Sequence, residues 1–460
     1  MNRDEITEYA VREFELFRVE KGIPGVAFGL IYQGELVFAA GLGESVLGNK
    51  TPPTADTVFR IASMTKSFTA SAIVKLRDKG LIKLDDLITK YLPWSSTIGL
   101  PEGSAPITIR DLLTMGAGLP TDDPWGDRQE DLLIADFDAM VAGGLTFNRN
   151  VNTGFEYSNL SYALLGRIIS QVTGEDFETY MEREILTPVG MNASTYFSSA
   201  IPNESRAVGY AKFDSGLTPE PHTKHGAFTP MGGLHSSVKD LTKWINTFDG
   251  EKVEQQTPYR HAYSIQAPAE GEISERIIVG AYGYGLFVHD DAVLGRFIHH
   301  SGGYPGFGSH MRWHQGSGWA IIGLGNLTYA PMITISAKVL NQIVASQIKL
   351  TKPTADLGPS TVAAMGVVNT LINKWDHTLS DEWLSENIAL DRPIHERVTE
   401  LEALTSGRSD WKVVPDSIKA PTKSHVKWEV ESAGSILKVE ILMSPEKSPK
   451  IQKLTVTASS

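Results

Sequence analysis

The order in which hydrophobic periods change along the chain restricts its fold more than any single motif. Residues 4–20 place Ile6, Tyr9, Ala10, Phe14 and Phe17 on one stripe, the period of an amphipathic helix. GVAFGLIYQGELVFAAG then reads as two β-rich runs about Gln33-Gly34, a hairpin signal. After a Pro/Thr-rich loop from Gly48 to Asp56 the helical period returns. Over 62–79 it carries Phe68, Ala72 and Leu76 beside Thr69 and Ile73, and ITIRDLLTM (107–115) is a short helix stopped at Gly116-Ala117-Gly118. Leu160, Leu164, Ile168 and Val172 with Leu165 and Ile169 form a helix closed by Gly174. Residues 119–155, rich in Asp, Gly and Pro, read as loops with short helices. Asp176 is placed to cap a helix through Ile185, and Val238 to Phe248 is helical. From 281 the period falls to two: AYGYGLFVHDD, GRFIHHSG, HMRWHQG and WAIIGLGN are four strand-like runs, followed by a helix from Ile333 to Lys349. Strands early and late with helices between predict an α/β (α+β) fold: one antiparallel sheet built from both ends of this stretch, flanked by helices, with an inserted helical lobe.

A chain of 460 residues exceeds the usual size of one domain. TKPTADLGP (351–359) reads as a linker. Beyond it come a helix near 361–375, a mixed stretch and three strand-like runs, SHVKWEVES, SILKVEILM and IQKLTVTA. The expected division is a first domain over 1–350 and a small α+β domain over 358–460, cystatin- or NTF2-like in its helix-then-strands order.

Composition narrows the chemistry. The 42 Lys and Arg against 54 Asp and Glu leave a net charge of −12, which argues against a nucleic-acid partner. No apolar run approaches the roughly 18 residues that span a bilayer. The start, MNRDEITEYAVREFELF, is charged and amphipathic rather than leader-like, so the expected location is cytoplasmic. With no cysteine there is no disulfide, thiolate zinc site, iron–sulfur cluster or thiol nucleophile. Catalysis falls to Ser, Thr, Lys, His, Tyr or the carboxylates. His310 and His314 lack a third ligand, so no metal site is expected. GESVLGNKT misses the register of a phosphate-binding loop. There is no G-x-S-x-G elbow.

Three motifs remain. Ser63-Met64-Thr65-Lys66 opens the helix after FRIA, and a three-residue spacing puts Ser63 Oγ and Lys66 Nζ on one face. A serine hydroxyl needs a neighbour to take its proton, and a lysine made neutral by burial can do so. Tyr157-Ser158-Asn159 sits in a turn before a strong helix. Tyr157 is placed as a proton relay whose phenolate nearby ammonium charge would favour, and Asn159 can orient Lys66 and hydrogen-bond a substrate carbonyl. His300-Ser301-Gly302-Gly303 ends a strand-like run, where glycines let backbone approach a substrate and the Gly303 N–H can join that of Ser63 as an oxyanion hole. Lys224-His225-Gly226 competes for this third place. Trp94, Trp125, Phe147 and Tyr304 are candidates for lining the cleft. Each motif alone also fits an ordinary cap or turn.

Taken together, FRIASMTK, ITIRDLLTMGAGLP, FEYSNLSYALLG, LTPVGM, GGLHSSVKDLTKW and HHSGGYPGFG resemble, in order and over about 1–345, the serine β-lactamase and penicillin-binding-protein superfamily. The closest likeness is its class C β-lactamase-like branch, with family VIII carboxylesterases, D-aminopeptidases and alkaline D-peptidases. The resemblance implies an acyl-enzyme hydrolase without metal or organic cofactor. It places the nucleophile on Ser63, the lysine on Lys66 and the tyrosine and asparagine on Tyr157 and Asn159, with the substrate-binding strand motif on His300-Ser301-Gly302. That motif carries lysine in the β-lactamases; a largely neutral His300 is a weaker anchor for a substrate carboxylate. The expected substrates are therefore small-molecule esters, amides or D-peptides. The alternatives are a β-lactamase or DD-peptidase, and a non-catalytic receptor or structural protein of the same fold. A homo-oligomer is compatible with the sequence.

Overall fold

The two-residue loop Gln33-Gly34 has positive φ at both positions, 50° and 84°, the hairpin turn whose twist matches that of its strands. It joins the first two strands of a large sheet. A computed structural model describes residues 1–221, 223–248, 254–255, 262–266, 278–347 and 357–459. In chain order the elements are α1 (Arg3–Lys21), β1 (Gly25–Tyr32), β2 (Glu35–Gly43), β3 (Phe59–Arg60), α2 (Thr65–Asp78), α3 (Ile109–Leu113), α4 (Asp123–Gly126), α5 (Ile134–Ala142), α6 (Asn159–Thr173), α7 (Phe177–Met181), α8 (Thr187–Val189), β4 (Tyr210–Phe213), β5 (Gly216–Pro219), α9 (Thr229–Gly232), β6 (His235–Ser236), α10 (Val238–Ile245), β7 (Ala262–Gln266), β8 (Ile278–Tyr282), β9 (Phe287–Asp291), β10 (Gly295–Tyr304), β11 (Phe307–His314), β12 (Trp319–Gly325) and α11 (Met332–Gln347).

The sheet runs β2-β1-β12-β11-β10-β9-β8-β7. The strands with a described register pair antiparallel, from Val26 opposite Gly325 at the β1–β12 seam to Gly303 opposite Gly308 in the β10–β11 hairpin. Both faces are covered, so alternation appears as a division between two cores rather than between core and water. Val26, Phe28 and Leu30 face the cluster formed with Phe14 of α1 and Val339, Leu340 and Ile343 of α11. Ala27, Ile31, Ile322 and Leu324 face the cluster that contains α2 and the helical lobe. Phe14 stacks on Phe28 at 4.1 Å between ring centres, which fixes α1 on β1.

Three sequence expectations differ in detail. AYGYGLFVHDD is two strands, β8 and β9, because Gly283 N–H donates to Leu286 O and closes a tight turn. The strand bearing His300 does not end at Gly302 but runs to Tyr304 and turns at Pro305-Gly306 into β11. Asp176 stands at the N-cap of α7 without a side-chain capping bond, and the helix loosens into a π-helical stretch over Glu182–Leu186. Among the described residues no helix is long and apolar enough to cross a membrane.

The chain divides into two compact units, 1–349 and 350–460; the linker expected over 351–359 lies mostly outside the described residues. The second unit has α12 (Pro359–Asn373), α13 (His377–Trp383), α14 (Glu386–Asp391) and α15 (Ile394–Thr405), then β13 (Lys412–Val413), β14 (Lys419–Thr422), β15 (His425–Ser432), β16 (Ser435–Met443) and β17 (Ile451–Ala458). Its sheet runs β13-β15-β16-β17, with β14 also pairing β15. Here the alternation is one-sided: Val426, Trp428 and Val430 join Val368 and Ile441 in the core while Lys427 faces water.

Candidate active site

Ser63 stands where three segments far apart in sequence meet. The short β3 pairs with β6, and Ile61 N–H donates to Leu234 O. Ile61 O accepts the Ser309 hydroxyl at 2.7 Å, which ties the turn to β11. Ala62 has φ 48°, a left-handed conformation that costs a non-glycine residue energy and is held by its surroundings. A 3-10 turn over Ala62–Met64 follows, then α2. Ser63 is left 8% exposed at the mouth of a cavity, beside the positive end of α2. Gly302 permits the approach of β10: a Cβ there would lie 2.1 Å from Ile61 O.

Lys66 is fully buried one turn below Ser63. Its Nζ donates to Ser63 Oγ at 2.9 Å, Asn159 Oδ1 at 2.6 Å and Met231 O at 2.9 Å, which uses all three donors of an ammonium. Burial lowers its pKa to about 8, against the pull of Asp123, Asp127 and Asp122 toward the charged form. Tyr157 lies with its ring 5.0 Å from Lys66 Nζ and stacks on Phe287. Its phenol departs from expectation. Burial and the negative charge of Asp123 push its pKa well above the ordinary value, and a hydrogen bond to Ser63 offsets this only in part. At rest Tyr157 is a neutral phenol rather than a phenolate.

Asn159 opens α6, buried, with Oδ1 on Lys66 and Nδ2 donating to Asp123 Oδ1 at 2.8 Å. Asp122 accepts from Asn159 N and Leu160 N at 2.6 and 2.9 Å, a carboxylate cap on that helix. His300 is buried between Tyr282 OH, 3.1 Å from Nε2, and Ser301 O, 2.6 Å from Nδ1. Burial, then the nearby Lys66 charge, lowers its pKa to about 3, so it is neutral at physiological pH. Ser301 Oγ lies 2.8 Å from His310 Nδ1.

The cavity, about 720 Å³, is lined by Ser63, Tyr157, His300, Ser301 and Gly303 together with Asp123, Asp127 and the aromatic rings of Phe155, Phe287 and Tyr329. The structure thus brings all three sequence motifs to one place. Lys224-His225-Gly226 lies in the irregular segment before α9, and Lys224 does not line this cavity. Nor do Trp94, Trp125, Phe147 or Tyr304. Trp125 packs edge-on to Phe228, and Tyr304 lies under Arg60 at 3.8 Å, where Arg60 forms a buried ion pair with Glu130. His314 Nε2 meets Leu294 O, 2.7 Å away, apart from His310. Among the described residues no three His, Asp or Glu side chains are arranged to hold a metal ion. Sequence reasoning missed Asp122, Asp123 and Asp127. The only signal was three aspartates in TDDPWGD, which reads as a polar loop until α6 is folded against it.

A family model described as Beta-lactamase matches residues 10–344. Protein flp of Staphylococcus aureus (strain COL) is 27% identical over 335 residues, 70% of this chain and 64% of that protein. Beta-lactamase-like protein 2 of Dictyostelium discoideum is 31% identical over 243 residues, 49% of this chain and 43% of that protein. The chain therefore spans less than two thirds of the length of these relatives. The octameric penicillin-binding protein homologue from Pyrococcus abyssi superposes with a TM-score of 0.62 at 22% identity, over 99% of this chain and 100% of that one, a likeness of fold.

Proposed function

The chain belongs to the beta-lactamase family, and from that premise we propose that it is a serine hydrolase that cleaves ester or amide bonds through an acyl-enzyme on Ser63. Within that class we assign it as a carboxylesterase or a D-amino-acid-directed peptidase. The chemistry rests on one contact, the buried Lys66 Nζ 2.9 Å from Ser63 Oγ. In the lysine's neutral form the direction of that bond reverses, and Nζ accepts the hydroxyl proton as Oγ attacks the carbonyl carbon. The N–H groups of Ser63 and Gly303 hold the oxyanion. As the carbonyl re-forms, the alcohol or amine leaves with the proton carried from Lys66 through the neutral Tyr157 phenol. Water then attacks the acyl-enzyme by the same path in reverse, releasing the acid and restoring Ser63.

The substrate class rests on His300. Held neutral, it offers a carboxylate no counter-charge, which favours esters and aminoacyl compounds over β-lactams and peptides ending in a free carboxylate. The division into two compact units supports assigning this chemistry to residues 1–350 and reading 358–460 as a separate cystatin- or NTF2-like domain. A homo-oligomer is part of the same proposal, supported by the octameric state of the Pyrococcus abyssi homologue. Mass spectrometry after fluorophosphonate treatment is expected to find an adduct on Ser63, absent in Ser63→Ala. No adduct on folded protein would leave the non-catalytic alternative. Among nitrocefin, short p-nitrophenyl esters and D-aminoacyl anilides, rapid loss of nitrocefin without esterase activity would select the β-lactamase alternative.

A further inference from the structure

The lining of the cavity has a sign. Its ionisable side chains are Asp123 and Asp127, three histidines and the phenols of Tyr157 and Tyr329, and among the described residues no Lys or Arg lines it. His289, His299 and His300 are all held below the usual imidazole range, first by burial, and add no positive charge. Two cations act on it from behind the lining: Lys66, committed to Ser63, Asn159 and Met231, and the buried Arg312, whose charge bears on His289 and His299. Asp123 is likewise engaged by Asn159. Asp127 differs. It is 3% exposed, Oδ2 accepts the Tyr329 hydroxyl at 2.9 Å, and among the described residues nothing donates to Oδ1. Arg60, whose charge bears on Asp127, is paired with Glu130. The rings of Phe155, Phe287 and Tyr329 line the same cavity. An unfilled oxygen on a buried carboxylate, with aromatic rings on the same cavity, suits a primary ammonium, which brings three donors and one charge.

We propose that Asp127, with this aromatic wall, forms a subsite for a protonated amine on the acyl group, so that the chain selects aminoacyl esters or amides over isosteric neutral ones. The proposal rests on the acyl-enzyme reading of Ser63. The p-nitrophenyl esters of D-alanine and of isobutyric acid differ only in ammonium against methyl. The native protein is expected to prefer the D-alanyl ester in kcat/KM by at least about tenfold, or about 1.4 kcal/mol, and Asp127→Asn is expected to collapse that ratio. A readout free of turnover is protection: benzylammonium slows fluorophosphonate labelling of Ser63 and benzyl alcohol at equal concentration does not. Labelling in each variant confirms that it has folded. If Ser63 is labelled yet the two esters react alike, or the preference survives Asp127→Asn, or the alcohol protects as well as the ammonium, the subsite is overturned while the acyl-enzyme stands. If Ser63 is not labelled in the native protein, the acyl-enzyme reading falls first.

Discussion

Acylation of Ser63 should follow the titration of Lys66. The penalty of burying its charge outweighs three nearby carboxylates and brings the pKa from 10.5 to about 8, a net cost to the ammonium of about 3 kcal/mol. Only the neutral amine can accept the serine proton. At pH 7 about one molecule in ten holds it, at pH 8 about half and at pH 9 about nine in ten. The second-order rate constant for labelling by a neutral fluorophosphonate should therefore rise about tenfold from pH 7 to pH 9 and then level. Asp127, itself raised to about 7 mainly by burial, ionises just before the lysine and strengthens its charge, so the rise should be broader than a single titration. Asp123→Asn removes the carboxylate that most favours the ammonium and should move the midpoint down. A rate constant flat from pH 6 to 9.5 would refute the argument. A midpoint near the ordinary imidazole value would also refute it, because His289, His299 and His300 are all pushed below that range.

Other changes test separate parts of the site. Lys66→Met should lower the labelling rate by about 10²–10⁴-fold, the worth of a positioned base, with circular dichroism unchanged. Gly302→Ala sets a methyl group against Ile61 O and must push β10 off the Ser63 turn; about a 10²-fold loss of esterase kcat/KM is expected in protein that still folds. Glu130→Gln leaves Arg60 buried without its anion and should cost about 3–5 kcal/mol, read from urea unfolding. His300→Lys places a second ammonium near Lys66, so the midpoint of the labelling profile should fall and nitrocefin KM should drop as a carboxylate anchor appears.

Much of this was legible from residue pattern alone. The hairpin at Gln33-Gly34, the α6 stop at Gly174 and the two-ended sheet follow from local periods and turn chemistry, and these elements keep them. That Ser63 and Lys66 meet was visible from helix geometry, and that Tyr157 and Asn159 join them was legible through the resemblance rather than from their cap-like turn. Neither the strain at Ala62 nor the acidic wall was visible. Ala62 is an unremarkable residue whose φ is set by Ile61 bonding to Leu234 and Ser309, partners far along the chain. The protonation states of Tyr157 and His300 depend on burial, which no tripeptide displays: the tyrosine's departed from expectation, and the histidine's near-neutrality hardened into a fixed one. The short strands β3 and β6 are two residues each and have no period to read.

The seam between β1 and β12 has a consequence for how the molecule comes into being. Gly25 N–H donates to Asn326 Oδ1 across 301 positions, and the Ser63 turn is fastened to Ser309 across 248. Such closures make folding slow, because chain entropy is lost long before the distant contacts reward it. During synthesis Ser63 emerges early, but the strands that shape its turn and carry Gly303 emerge more than two hundred residues later. The nascent chain therefore holds Ser63 without its surroundings, and the turn is completed late, when the last strands insert between the first hairpin and the rest of the sheet.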